Sequence, residues 1–340
     1  MMDMTTRNRH RILLLIIGIL SAHVMNAQYW ATPTDYDYSG MAEEITAGAT
    51  GKYEQAEKIY RHQMAGILSR ELSEGIPCPV CGSVHHPNPA KIEEKITPRT
   101  KGIIGVHLCG QPFDYAGVKA IADKHGLFVV EDCAQSHGAM FEGRNVGTLG
   151  ELACFSFYPG KNLYAFGEGG SVTCEKEEYF KHMTRLKNQG CDVRYYHDEI
   201  GYNYRLEGLQ GAVLSVSLKY LPQWTKRRQE IGERYIREIT NPLFTMQAHP
   251  ENTEPVYHLF VVQLEERDRF VQYMADNNVE CNLHYPVPCH LQNAYAHLGY
   301  KKGDCPNAEQ LAAHCVTLPL FPGMREDEVD RVISLCNDFR

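Results

Sequence analysis

From Gly102 onward the apolar positions fall into two alternating rhythms. Gly102 to Leu108 (GIIGVHL) is an unbroken apolar run of strand length, and Val118, Ile121 and Ala122 then recur at helical spacing. Asp114 stands where an N-cap would accept free amide hydrogens, and Gly126 stands where a helix stops. Leu127 to Val130 reads as the next strand, with Glu131 and Asp132 at its carboxyl end. Strand, helix and strand in that order predict a βαβ unit, hence a parallel sheet with a right-handed crossover. Ligands of such sheets gather at the carboxyl ends of the strands, which puts Asp132 where chemistry is expected. Leu152 to Tyr158 (LACFSFY) predicts a further strand. The turn Pro159-Gly160-Lys161-Asn162-Leu163 follows, then Gly167 to Gly170 and a strand through Cys174.

The rhythm changes again further on. Leu218 to Ile239 predicts a long helix carrying Leu221, Trp224, Ile231, Tyr235 and Ile239, interrupted near its start by Pro222. A strand is expected over Tyr257 to Leu264. A helix follows over Arg267 to Asn277 with Phe270, Val271 and Met274 inward, then another strand over Cys281 to Tyr285. Leu311 to Leu320 and Val329 to Cys336 complete an α+β pattern suited to a smaller second domain. His284, His290 and His297 fall on different elements, so they read as interface and core residues, and no metal site is expected of them.

The front of the chain follows neither rhythm. Arg7, Arg9 and Arg11 precede an apolar run from Ile12 to Leu20, then Ala22 to Ala27, which resembles a bacterial export signal. Nine apolar residues are too few to span a bilayer as a helix. Residues 28–65 carry two short helical patterns, and resemble the region before the catalytic domain of secreted transglutaminase-like proteins. The stretch stops before that family's catalytic residues, so no such activity carries over. Cys78-Pro79-Val80-Cys81, with His85 and His86 beyond, resembles the zinc hook of SbcC-type exonuclease subunits. One such pair supplies two of the four ligands that structural zinc takes, and no heptad run flanks it. A reduced thiol pair in a proline-rich linker is the plainer expectation. The chain thus divides into a signal-like segment (1–27), a mosaic region (28–95), a large domain (96–225) and a small C-terminal domain (226–340).

Composition narrows the classes. With 43% apolar and 22% charged residues in 340, the chain can bury a core. A net charge of −8 with no basic tract excludes sequence-independent nucleic-acid binding. The 12 cysteines are scattered, and Cys133, Cys154 and Cys174 lie in apolar stretches as small hydrophobes, which reads as a reducing compartment.

A lysine just past a buried strand is placed to be partly desolvated, which lowers its pKa and frees the lone pair for reaction with a carbonyl. A lone loop lysine is otherwise a solvated charge; the neighbours of Lys161 make the difference. EDCAQSHGA (Glu131–Ala139), VGTLGELACFSFYPGKNLYAFGEGGSV (Val146–Val172), GYNYRLEGLQGAVL (Gly201–Leu214) and HYPVPCHLQNAY (His284–Tyr295) together resemble the DegT/DnrJ family of sugar aminotransferases, from about Ile96 to near the C-terminus. The resemblance implies a fold-type I α/β large domain, a smaller α+β domain, pyridoxal 5'-phosphate as cofactor, and a homodimer with active sites at the interface. It implies Lys161 as the lysine that holds the cofactor covalently and later shuttles a proton, and Asp132 as the partner of the pyridinium nitrogen. Gln135 would contact the ring or its 3'-oxygen, Ser156 the phosphate, and Asn203 the phosphate of the neighbouring subunit. His137 is expected to pack or to support these. Related dehydratases carry histidine at position 161, so lysine there points to transamination. The implied substrates are a nucleotide-linked keto-sugar, with a lean towards dTDP-keto-deoxyhexoses, and glutamate as amino donor, in the cytoplasm.

The family's N-terminal third is expected before Ile96, with a Ser/Asn-Gly-Thr-x-Ala-Leu turn that clamps the cofactor phosphate at a helix N-terminus. Residues 1–95 contain no such turn. Gly147-Thr148 belongs to a later loop. The expectation from this is an open sheet edge, weak cofactor binding and poor turnover. The alternative reading is a remnant that folds or dimerises without catalysis.

Overall fold

The computed structural model describes residues 92–250 and 252–340. The signal-like segment, the two-helix stretch and the Cys78/Cys81 pair lie outside the described residues.

The βαβ unit is present. Strand β1 (Gly102–Val106) leads through a 3₁₀ turn to helix α1 (Tyr115–His125) and strand β2 (Phe128–Asp132). The Asp114 carboxylate accepts the Gly117 amide at 3.1 Å, and Gly126 closes the helix at φ 64°, where lack of a Cβ removes the strain. Strand β1 ends at Val106, two residues short of the apolar run, because Leu108 to Gly110 turn back towards the small domain. Gly105 is required by close approach: a Cβ there would meet the Phe113 ring at 2.1 Å.

Strands β5 (Leu152–Ser156) and β6 (Gly170–Thr173) complete a sheet of order β1-β2-β5-β6. The first three strands are parallel and β6 runs antiparallel to β5, so the sheet is mixed at this edge. Among the described residues β1 lies at the other edge. Val118 and Ala122 of α1 cover one face with Ile103, Val129 and Ala153. Met183 and Leu186 of α2 (Glu177–Lys187) cover the other with Val130, Leu152 and Cys154. Two further strands, β3 (Met140–Phe141) and β4 (Arg144–Asn145), pair with each other, and β3 also pairs with β7 (Thr253–Glu254), which ties the loop after β2 to the second domain.

Helix α3 (Gly208–Glu238) begins at Gly208 rather than Leu218, with Pro222 inside it. Only Gln210, Leu214 and Ser217 of its first turns are buried, so the apolar period is faint there and Pro222 reads as a start. The small domain pairs β8 (Phe260–Gln263) with β9 (Cys315–Leu318) and packs α4 (Arg267–Asp276) and α6 (Glu326–Asp338) against them; α5 (Pro306–His314) leads into β9. The expected strand over Cys281 to Tyr285 is not formed. Asn282 makes one bridge to Thr317 and the rest is irregular, since Pro286 and Pro288 remove the donors that would extend a ladder. No described helix is long and apolar enough to cross a membrane.

Candidate active site

Parallel pairing of Asp132 with Cys154 brings the carboxyl ends of β2 and β5 to one side of the sheet. Asp132 is half-buried there, its carboxylate accepting the Ala134 amide at 3.0 Å. Beyond β5 the chain turns tightly: Lys161 N donates to Tyr158 O at 2.8 Å, and Ala165 N returns to Phe157 O at 2.8 Å. Lys161 is half-buried. Burial lowers its pKa, opposed by the charge of Asp132. Asp132 acts on the amine through its charge and not through a side-chain hydrogen bond, so lysine and aspartate sense each other without pairing.

The other expected residues fall unevenly. The Gln135 carboxamide is engaged on both sides: Oε1 accepts Cys109 N at 2.6 Å and Nε2 donates to Tyr285 Oη at 3.2 Å. One amide hydrogen is left over. Ser156 Oγ accepts Tyr158 N at 3.3 Å, which leaves its own hydrogen to give. Asn203 stands apart, exposed, where it bridges Asn188; no described contact joins it to the other four. His137 is buried between Phe155 and Phe157, ring centroids at 5.4 and 5.9 Å. Neither ring nitrogen makes a hydrogen bond of standard geometry, and the Ser156 backbone opposes the fall in its pKa. Burial first, then the Lys161 charge, pushes the imidazole down to about 4, so it is neutral at pH 7.

Several residues of the site are ones that the sequence reading passed over. Glu131, next to Asp132, points to the opposite face, as strand alternation requires. Fully buried, it accepts Gly147 N, Leu149 N and Gly150 N, each at 2.8 Å, and the His107 imidazole at 3.1 Å. Burial alone would raise its pKa; the His107 bond and the backbone amides outweigh that and hold it below the usual carboxylate range. This carboxylate fastens the 147–150 loop under β2. The Glu-Asp pair at the end of a buried strand carried the signal, since two successive acids cannot share one face. His107, Glu131 and Cys133 bring ligand atoms within 4.8 Å of one another. They are no vacant metal site: His107 Nδ1 accepts Phe113 N at 3.3 Å, so Nε2 carries the proton given to Glu131.

A second missed set comes from the chain entering the small domain. Asn162 is buried beside Lys161; its Nδ2 donates to Val256 O at 3.1 Å and its Oδ1 accepts His258 Nδ1 at 3.1 Å. Arg228, from α3, donates to Tyr257 O and Leu320 O at 3.0 and 3.1 Å.

The chain matches the model of the DegT/DnrJ/EryC1/StrS aminotransferase family over residues 73–336, starting earlier than the motif-based boundary near Ile96. It is 42% identical over 269 residues to the erythromycin biosynthesis sensory transduction protein EryC1 of Saccharopolyspora erythraea, covering 78% of this chain and 73% of that one. It is 42% identical over 278 residues to the dTDP-3-amino-3,6-dideoxy-alpha-D-galactopyranose transaminase of Aneurinibacillus thermoaerophilus, covering 81% and 76%. Among solved structures, S. venezuelae DesV in complex with a ketimine intermediate superposes with TM-score 0.71 at 38% identity, covering 73% of this chain and 67% of that one.

Proposed function

Because the chain belongs to the DegT/DnrJ/EryC1/StrS aminotransferase family, we propose that it moves an amino group from glutamate to the carbonyl carbon of a nucleotide-linked keto-sugar of the dTDP-keto-deoxyhexose type. The family is one of pyridoxal-phosphate-dependent sugar aminotransferases. The residues at the carboxyl end of the sheet fit that cofactor. An unpaired, half-buried amine and a carboxylate stand at the same strand ends, beside a buried imidazole with no partner of its own.

When bound, pyridoxal phosphate supplies an aldehyde carbon that bonds to amines and a ring that accepts the electron pair released as a proton leaves carbon. Lys161 is the amine that holds it. The burial that lowers its pKa raises the fraction with a free lone pair, and the same amine, once displaced, carries a proton to and from the substrate carbon. Asp132 keeps a proton on the ring nitrogen. Gln135 gives its spare amide hydrogen to the ring oxygen, and Ser156 gives its hydroxyl hydrogen to the phosphate. In the whole exchange the donor carbon becomes a carbonyl as the sugar carbonyl becomes an amine, with no net oxidation.

Asn203 acts from a second subunit, towards that neighbour's phosphate. Its exposure in this chain supports a homodimer, as do the exposed Tyr195, Tyr196, Ile200, Leu209, Val216 and Tyr220 around it and on α3. All ten cysteines in the described residues are free, which supports a cytoplasmic site of action. The name of the transaminase relative supports the dTDP-sugar reading.

The observation that carries the proposal is the lysine amine held in partial burial without a counter-ion, electrostatically coupled to Asp132. Titration of the purified protein with pyridoxal phosphate, followed by absorbance, tests it. We expect a visible band that glutamate discharges and a dTDP-keto-sugar restores, absent in Lys161→Ala. A chain that folds without turnover shows no lysine-dependent band, and that outcome rejects the proposal.

A further inference from the structure

The buried and half-buried groups around Lys161 come from four stretches of chain. Cys109 arrives from the turn after β1, His137 from the turn after β2, and His258 and His284 from the small domain; each interacts electrostatically with the lysine, as does Asp132. Of these only His258 is also connected to the lysine's own backbone segment, through the next residue. The Asn162 carboxamide lies buried between two groups of the 256–258 segment: it donates to Val256 O and accepts from His258. An amide whose oxygen is an acceptor requires the imidazole to give its Nδ1 hydrogen, which fixes the tautomer. The 256–258 segment is itself held from both sides. Val256 N donates to Gly110 O at 3.0 Å and Leu259 N to Cys109 O at 3.3 Å, while Arg228 grips Tyr257 O. Gly110 is needed there, since a Cβ would meet His258 N at 2.8 Å.

We propose that His258 is a positioning residue for the amino-transfer reaction: acting through the Asn162 carboxamide, it fixes the peptide that carries Lys161 and keeps the amine at its depth in the site. The assignment of Lys161 as the cofactor-binding amine is its premise. The imidazole suits a fixed tether. Burial, then the charges of Lys161, Arg228, His137 and His284, push its pKa down to about 3, so it keeps one tautomer and no charge across the working pH range. Without the His258 bond, Asn162 would keep only its donation to Val256 O, its Oδ1 would lose its partner, and the amine could turn towards water.

The test uses the full-length protein without cofactor. Trinitrobenzenesulfonate labels lysines as free amines, and peptide mass spectrometry reads Lys161 alone across a pH series. Wild-type Lys161 is expected to label with a midpoint below the ordinary 10.5. His258→Phe and Asn162→Ser should each move that midpoint up towards 10.5, because a released amine regains water. His258→Asn, whose side-chain amide nitrogen stands at the position of the imidazole Nδ1 and can still donate to Asn162, should return it. In the holoenzyme the two disruptive variants should lower kcat by about 10²-fold, the scale of a misplaced reacting group, with KM for the sugar within about twofold of wild type. The double variant should be no worse than the worse single one, since both break the same bond. Unmoved midpoints in folded variants, additive losses in the double variant, or failure of His258→Asn to recover the midpoint would each overturn the proposal. Should His258→Phe fail to fold, Asn162→Ser and His258→Asn decide it. Labelling needs neither cofactor nor turnover, so it fails separately from the proposed reaction.

Discussion

The small-domain core and the carboxyl end of the large sheet are built on opposite terms. In the core, Tyr235, Phe260, Phe270, Met274 and Phe339 are fully or almost fully buried, and the rings meet edge to face, Tyr235 with Phe260, Phe270 with Phe339, and Phe244 with Phe270 at 4.9 Å. The Tyr235 hydroxyl and the Asn241 amide inside it are answered: Tyr235 Oη donates to Pro319 O at 2.7 Å, and Asn241 Nδ2 donates to Cys336 O and Phe339 O, both at 2.8 Å. At the sheet end a buried imidazole has no partner and a half-buried amine has no counter-ion. Single unanswered atoms also occur elsewhere, as at Gln247 and Asn307, but at the sheet end an imidazole with both nitrogens unanswered stands with an amine that has no counter-ion. Such groups cost stability, and their combination marks where the chain gives up stability for chemistry.

Four substitutions break or sharpen that contrast. Lys161→Ala should have the largest effect, lowering transamination by on the order of 10⁴-fold through loss of the proton carrier, with the thermal midpoint of the cofactor-free protein held or raised. Steady-state kinetics beside a melting curve checks it. Phe270→Ala should do the reverse. It should cost roughly 3–5 kcal/mol of stability in denaturant titration, from lost burial and a cavity, yet leave kcat nearly unchanged while the protein stays folded. Asp132→Asn, which removes the charge at the ring nitrogen, should reduce kcat by about 10²–10³-fold with little change in stability, read from kinetics and calorimetry.

The smallest effect belongs to His137. Its folded pKa, about 4, lies below the free value of 6.5, so above 6.5 both states are neutral and the residue costs nothing by titration. As pH falls from 6.5 towards 4 the unfolded chain takes up the proton first, and stability is lost over that window. His137→Phe should therefore flatten the stability–pH curve between those values, as denaturation at stepped pH would show. His258 contributes in the same direction down to about 3, so the flattening is partial.

What the sequence made legible follows local physics. The βαβ unit, the Asp114 cap and the Gly126 stop depend on neighbouring residues, and they stand where the pattern set them. Asp132 and Lys161 could be read because strand ends and a tight turn place them from within a few residues. Helix α3 was read short because a mostly exposed first half and Pro222 mask its period. The Cys281–Tyr285 strand was overread, since alternation alone does not supply a partner and proline denies one. The ties that set the site's depth were illegible. Asn162 to His258 spans 96 residues, Gln135 to Tyr285 spans 150, and neither leaves a local trace.

The most direct measurement is where pyridoxal phosphate becomes covalently fixed. Borohydride reduction of the loaded protein followed by peptide mapping should place the phosphopyridoxyl group on Lys161, one per chain, and Lys161→Ala should carry none. A label spread over surface lysines, or found unchanged in the variant, would contradict the account.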